Sequence, residues 1–198
     1  MRLTLVTPPA IEPVSITEAK KALKLDLDDT SEDTDITAFI IAAREYCEDF
    51  QNRAFITQTW EASFDDWPCH EIKLPKGSLQ TVNSVSYTDS SGAITVLAEA
   101  TDYIYSTRGI LGRLTPSYGK TWPSFTPFPL DAVVIKFTCG YGDSELDVPE
   151  KVKLAIKLLV GYWHENREAA LMAGISKLTK EIEFSVHSLL SLERLVPV

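Results

Sequence analysis

The chain has 198 residues, of which 44% are hydrophobic, 10% aromatic and 24% charged. These ordinary values for a globular protein argue against wholesale disorder and favour one domain, or one domain with an insertion. The 28 acidic residues outnumber the 19 basic ones, for a formal net charge of -9, which excludes a general attraction of the chain for nucleic acid or anionic membranes.

The N-terminal stretch and the cysteines indicate the compartment. The segment MRLTLVTPPAIEPV has too short an apolar run for a signal peptide, and no segment reaches the ~20 apolar residues of a membrane span. Cys47, Cys69 and Cys139 stand in unrelated settings, without CxxC or zinc spacing. We therefore expect a soluble cytosolic protein with reduced, mostly buried thiols and no membrane partner.

Two helices are predicted in the N-terminal part. In SITEAKKALKL, Ser15 and Glu18 have capping-box spacing at the start of an amphipathic helix. The acidic run DLDDTSEDTD follows. A long helix is then predicted from about residue 34 to 52, because apolar residues recur in steps of three, four and seven at Ile36, Phe39, Ile40, Ala43, Cys47 and Phe50.

A block of about six strands is predicted next. From residue 56 the period becomes two, with Trp60, Ala62 and Phe64 alternating with polar residues. The segments SVSYTDSSGAITVL and DYIYSTRGILGRL have the turn formers of hairpins. A proline-rich loop over residues 116–129 precedes a last strand, AVVIKFTC.

Two further helices are predicted after this block. Asp147 and Glu150 have capping-box spacing around Pro149, followed by an apolar stripe at Val152, Ala155, Ile156, Leu159 and Trp163. A short final helix lies in SVHSLLSLERL, with an apolar face of Val186, Leu189 and Leu190. That face could complete the core or enter a groove on a partner, and the sequence leaves both alternatives open.

The order of elements predicts an α+β fold. It consists of a helical body of about four helices with a β-rich insertion between helix 2 and helix 3. In domain terms, residues 1–55 hold the N-terminal helices of the body, residues 56–142 hold the β-rich insertion, and residues 143–198 hold the C-terminal helices and a terminal segment.

The stretch TCGYGDSELDVPE, residues 138–150, is a candidate phosphate-binding loop because it carries two glycines before a helix. A phosphate cradle needs backbone N–H groups at a helix start, usually helped by a basic side chain. Here acidic side chains crowd that helix start and would repel phosphate. The sequence therefore predicts a strand-to-helix joint whose glycines permit positive φ.

The acidic run is a candidate calcium loop, because Asp26, Asp28 and Glu32 fall at ligand positions one, three and seven. An EF-hand also needs a glycine and a bidentate glutamate, where this chain has Ser31 and Thr37. The sequence therefore predicts a solvated loop.

No catalytic, cofactor-binding or metal-binding residue and no cofactor is predicted. The histidines stand far apart and outside HExxH or Cys/His groupings, at His70, His164 and His187. There is no GxSxG motif. Trp60 and Trp163 lie on predicted apolar stripes and are expected in the core, whereas stacking roles stay open for Trp67 and Trp122.

Three blocks in order carry a resemblance to a known family: SITEAKKALKL, then AAREYCEDFQNRAFITQTW (residues 42–60), then GYGDSELDVPEKVKLAIKLLVGYWHENRE (residues 140–168). This ordered set resembles the head-tail connector, or adaptor, proteins of long-tailed bacteriophages and prophages, in their larger version with a β insertion. The similarity runs from about residue 14 to residue 168 and is weaker after residue 169.

The resemblance implies a non-enzymatic virion protein of the head–tail junction, made in the bacterial host cytoplasm. Copies would form a ring of twelve under the portal after DNA packaging, extend the DNA channel and dock the stopper or tail-completion protein. Double-stranded DNA would pass without specific binding, because the ring multiplies the negative charge of the chain.

The resemblance also implies that the C-terminal segment contacts the portal protein. The candidate residues are Val186, Leu189, Leu190, Leu192, Arg194 and Leu195. The alternative function is a metal-dependent hydrolase or ligand-binding protein that uses the acidic loop 26–35 or the aromatic side chains of the β block.

Overall fold

The computed structural model describes residues 1–68, 71–167 and 179–195, so that Cys69 and His70 lie outside the described residues. These residues form two compact units. One is built on β-sheets from residues 1–9 and 57–141, and the other is helical, with residues 10–56 and the described residues from 142 onward. The predicted α+β fold, with a β-rich region between helix 2 and helix 3, is confirmed.

The helical unit contains four α-helices in the described residues: α1 (Ile16–Leu23), α2 (Asp33–Gln51), α3 (Glu150–Glu165) and α4 (Lys180–Leu190). Helix α1 begins as its spacing predicts, since the Ser15 side chain accepts a hydrogen bond from the Glu18 N–H. None of the helices in the described ranges has the length and apolar character that crossing a bilayer requires.

The predicted apolar stripes of α2 and α3 form the core of the helical unit. Their buried members are Ile36, Ile40, Ala43, Cys47, Val152, Ala155, Ile156, Leu159 and Trp163. The rings of Phe39 and Trp163 lie 6.4 Å apart between centroids. Each large side chain buried in this way contributes about 1.5–3 kcal/mol of hydrophobic stabilisation, which holds the two long helices together.

The start of α3 differs from its prediction. Pro149 is the N-cap of α3, and the Asp147 carboxylate accepts a hydrogen bond from the Ser144 N–H at 3.1 Å. The predicted capping box between Asp147 and Glu150 is therefore wrong, because Ser144 and Asp147 form a box one turn earlier, around a short 3-10 helix.

Two glycines of the candidate phosphate-binding loop stand at positions where a side chain would be unfavourable. Gly140 has a φ of 139°, in the region that favours glycine. A Cβ on Gly142 would collide with the Asp147 side chain. The predicted positive φ is thus found at Gly140, whereas at Gly142 the lack of a side chain makes room for Asp147.

The sheet unit consists of two antiparallel sheets. The strands are β1 (Arg2–Thr7), β2 (Gln58–Phe64), β3 (Ile72–Leu74), β4 (Leu79–Thr88), β5 (Ile94–Leu97), β6 (Tyr103–Ser106), β7 (Gly112–Pro116) and β8 (Val133–Cys139). Five strands have the order β1-β2-β8-β4-β5, and three have the order β3-β7-β6. The sequence predicted both hairpins, β4–β5 and β6–β7, and the last strand, β8, but it did not predict β1.

One face of the five-stranded sheet is buried. Its register sets Ala62, Ile135, Val85 and Leu97 in one row across four strands, and all four are buried. The adjacent row contains Ser63, Val134, Ser86 and Val96, none of which is buried. The alternation along each strand follows from the period of two.

Candidate partner-binding surface

Helix α4 is packed into the helical unit by one side. Val186 and Leu190 are fully buried, and Leu195, five residues after the helix ends, is also buried. Helix α4 lies against α3 and α2. Of the two alternatives for the terminal helix, a core role therefore holds for these three of the six candidate residues.

The opposite side of α4 and three of the residues after it, Ser191, Leu192 and Arg194, are exposed. Leu192 is 86% exposed and Phe184 is 75% exposed, Arg194 is also exposed, and Leu189 is half-buried. Phe184 and Ser188 are spaced by four residues, which places their side chains on one side of α4, and Leu192 lies in the short 3-10 helix Ser191–Glu193 that follows. Sequence reasoning missed Phe184, because the final helix was predicted within residues 185–195, whereas it runs from Lys180 to Leu190.

An aromatic cluster fixes α4 and the residues after it to α2. The rings of Phe50 and His187 stack with centroids 4.1 Å apart, and the Arg194 guanidinium lies 4.8 Å from the centroid of Phe50. The Tyr46 hydroxyl and His187 Nε2 are 3.1 Å apart, within hydrogen-bond distance. Contacts of the cation–π kind contribute about 0.5–1 kcal/mol at exposed sites.

The C-terminal tail, defined as residues 190–195, is held through its backbone. Gln51 Nε2 donates to the Leu190 carbonyl and Asn52 Nδ2 donates to the Leu195 carbonyl, each at 2.8 Å. The Leu195 N–H donates to the Gln51 carbonyl at 2.9 Å.

Arg53 completes this set of backbone contacts. Its Nε donates to the Glu193 carbonyl at 2.8 Å, while the Glu193 carboxylate pairs with Lys151 Nζ of α3 at 2.5 Å. We call Gln51, Asn52 and Arg53 together the clamp. The tail is thereby a fixed part of the helical unit.

A buried ion-pair network lies on α2. The Arg44 guanidinium contacts Glu12 and Glu48, each at 2.8 Å, and Glu48 also accepts a hydrogen bond from the Phe55 N–H at 2.8 Å. Burial opposes the charge on Arg44, but Glu48 and Glu12 outweigh burial and raise its pKa. Burial raises the pKa of Glu12, and Arg44 only partly offsets that effect. The network satisfies buried charges and has a structural role.

The acidic loop 26–35 is arranged around one buried amine. Lys20 Nζ donates to the Asp29 carbonyl at 2.7 Å and the Leu27 carbonyl at 3.5 Å, and pairs with Asp33 at 2.5 Å. The described residues contain no group of three or more His, Cys, Asp or Glu side chains placed to hold a metal ion. The Lys20 ammonium group thus lies where the carbonyl and carboxylate oxygens of the loop converge.

Glu32, at the N-cap of α2, lies against the end of α3. Its carboxylate is 2.8 Å from His164 Nε2 and 2.6 Å from Arg167 Nη2. The hydrogen bonds from His164 and then Arg167 lower the pKa of Glu32. These contacts link the acidic loop to α3.

Trp67 and Trp122 of the β block, for which the sequence left a stacking role open, pack on each other. The rings of Trp67 and Trp122 stack with centroids 4.4 Å apart and planes 6° apart, and Trp67 Nε1 donates to the Pro123 carbonyl at 3.1 Å. Trp163 is buried as predicted. Trp60 is only half-buried, with Lys76 Nζ 4.8 Å from the ring centroid, so its predicted core position is only partly correct.

Solved structures with the same fold come from phage-like particles. One, described as the neck of an empty gene transfer agent (GTA) particle computed with C6 symmetry, aligns with a TM-score of 0.82 at 22% identity, covering 100% of this chain and 97% of that one. Two others are the virion of a native GTA particle, at 23% identity, and the neck of a native GTA particle computed with C12 symmetry, at 22% identity. Each of these has a TM-score of 0.78 and the same coverage.

The chain belongs to the head completion protein family, whose family model matches residues 14–176. The resemblance to head-tail connectors that the sequence indicated is thereby confirmed. Among curated proteins, no sequence matches this chain.

Proposed function

We propose that this protein is a structural head-tail connector of a tailed phage or phage-like particle, and that it has no enzymatic activity. The observation that carries the proposal is the family match over residues 14–176. The fold shared with GTA structures over the whole chain supports it. The C6 and C12 symmetries used for two of those necks support a ring, and we propose that the ring has twelve copies here.

The ring lies at the head–tail junction, under the portal vertex of the filled head. It extends the channel through which DNA passes, and its other side docks the stopper or tail-completion protein. A closed ring requires each copy to present two different surfaces to its neighbours, as heterologous interfaces do.

The portal contact is made by the exposed side of the C-terminal segment. Binding interfaces are centred on aromatic or aliphatic anchors that enter pockets of the partner, and we assign this role to the exposed side chains of Phe184 and Leu192. Leu189 and Arg194 border them. The buried candidates Val186, Leu190 and Leu195 act indirectly, by anchoring the segment to the helical unit.

Electron microscopy of the protein mixed with its cognate portal protein tests this function. We expect rings stacked coaxially on the portal. Leu192→Asp should abolish stacking, because it places a charge in an apolar contact. Leu130→Asp is the matched control at an exposed leucine of the sheet unit and should leave stacking intact. Absence of any ring on the portal would contradict the connector function.

The connector should let DNA pass without holding it. The net charge of -9 per chain is multiplied in a ring, and a duplex then meets net repulsion. In a nitrocellulose-filter assay at low salt, we expect no tight retention of DNA by the assembled ring. Tight binding there would count against this part of the proposal.

A further inference from the structure

The clamp side chains bind the backbone of the tail. Its three side chains donate to the carbonyls of Leu190, Leu195 and Glu193, and the Leu195 N–H bonds back to Gln51. None of these four bonds involves a side chain of the tail. The clamp therefore fixes the position of the tail backbone and does not restrict which side chain is exposed at residue 192.

Asn52 meets two requirements at once. It is the C-cap of α2 with a φ of 54°, a left-handed conformation that asparagine and glycine tolerate better than other residues. Its side-chain amide also donates to the Leu195 carbonyl at 2.8 Å. Glycine would satisfy the first requirement and fail the second, so the two roles can be separated by one substitution.

The fixed tail exposes Leu192. After Leu192 in the chain, the tail is held by buried Leu195 and by the cation–π contact of Arg194 with Phe50. Before Leu192, it is held by α4. A partner that binds Leu192 does not then have to order this segment. Ordering one flexible side chain on binding costs roughly twofold to tenfold in affinity, and ordering backbone adds to that.

We propose that Gln51, Asn52 and Arg53 are positioning residues for partner binding, which hold the tail so that Leu192 meets the portal protein already ordered. The identity of the partner rests on the proposed function. The clamp residues do not touch the portal themselves, because they act through the tail.

Hydrogen exchange at the Leu195 amide tests whether the clamp orders the tail. Asn52→Gly keeps the left-handed turn and removes the side-chain donor. We expect Leu195 to exchange roughly twofold to tenfold faster, as the loss of one hydrogen bond predicts. Asn166→Gly is the control, since the Asn166 amide caps α3 by donating to the Tyr162 carbonyl and should not affect Leu195. Unchanged exchange in Asn52→Gly would overturn the inference.

A double-mutant cycle tests whether this order matters for the portal. Leu192→Ala should weaken portal affinity about tenfold in the otherwise unchanged protein. It should weaken it by a smaller factor in the Asn52→Gly protein, because molecules whose tail is displaced bind without the Leu192 contact whether or not that side chain is shortened. Equal losses in both backgrounds would overturn the positioning role and leave the portal contact standing. No loss in either background would overturn the contact itself and the positioning role with it.

A second clamp variant guards against misfolding. Arg53→Met removes the donor to the Glu193 carbonyl and keeps an apolar stem, and it should repeat both effects. Far-UV circular dichroism establishes which variants are folded before exchange and affinity are compared. Unchanged exchange at Leu195 in either variant, once that variant is shown to be folded, overturns the inference.

Discussion

Two leucines in the C-terminal segment should behave in opposite ways when shortened to alanine. Leu190 is fully buried between α4 and its neighbours, whereas Leu192 is 86% exposed. Removing a buried leucine side chain costs about 2–5 kcal/mol, from lost burial and from the cavity that remains. An exposed substitution away from special features usually stays within about 0.5 kcal/mol.

Urea unfolding followed by circular dichroism at 222 nm measures both effects, because that signal reports the helices. With a denaturant slope of about 2 kcal/mol per M, Leu190→Ala should lower the unfolding midpoint by roughly 1–2.5 M. Leu192→Ala should leave the midpoint unchanged and weaken only portal binding. If Leu192→Ala destabilised the protein as much as Leu190→Ala, the packing of α4 described here would be wrong.

Three further outcomes are expected in the helical unit. Arg44→Met should reduce stability by about 3–5 kcal/mol in denaturant unfolding, because it leaves the buried Glu48 carboxylate without its ion pair, and a loss below 1 kcal/mol would contradict this. Burial raises the pKa of Cys47, so iodoacetamide should label it only after unfolding, as peptide mass spectrometry would show, and native labelling would count against its burial. His164 lowers the pKa of Glu32 from 4.5. The unchanged protein should therefore be more stable than the Glu32→Gln protein above pH 4.5, and this difference should disappear as the pH falls through the lowered pKa. A difference in unfolding free energy that stays constant as both proteins are acidified would refute this.

The helices could be predicted from sequence because their signals are local. The spacing of Ile36, Ile40 and Ala43 defines one side of α2, and the side chain at Ser15 caps α1 within its own turn. Such patterns need no knowledge of distant residues. The hairpin β4–β5 was predictable for the same reason, since its turn formers lie between the strands they connect.

Features that depend on distant residues were not predictable. Strand β1 exists because Leu3 and Leu5 pair with Ala62 and Trp60, more than fifty positions later. The Asp147 carboxylate had two possible partners by spacing, and only the turn at Ser144 decides between them.

The candidate site was only partly predictable. Periodicity identified Val186 and Leu190 as apolar but could not say whether the helical unit or a partner covers them. The burial of these two residues and of Leu195 leaves Leu189, Leu192 and Arg194 from the original set, and the structure adds exposed Phe184. The contribution of Asn52 had no sequence signal, because its contact with Leu195 joins residues 143 positions apart.

The discontinuous helical unit sets an order for folding during synthesis. Residues 10–56 leave the ribosome before most of the sheet unit, which ends at residue 141, but α3 and α4 follow only after the whole of it. Domains fold as units as they emerge, at about 5–20 residues per second. The sheet unit can therefore complete its fold while α1 and α2 still lack the helices that cover their apolar sides, and those sides are exposed to chaperones for the several seconds that translation of the remaining residues takes.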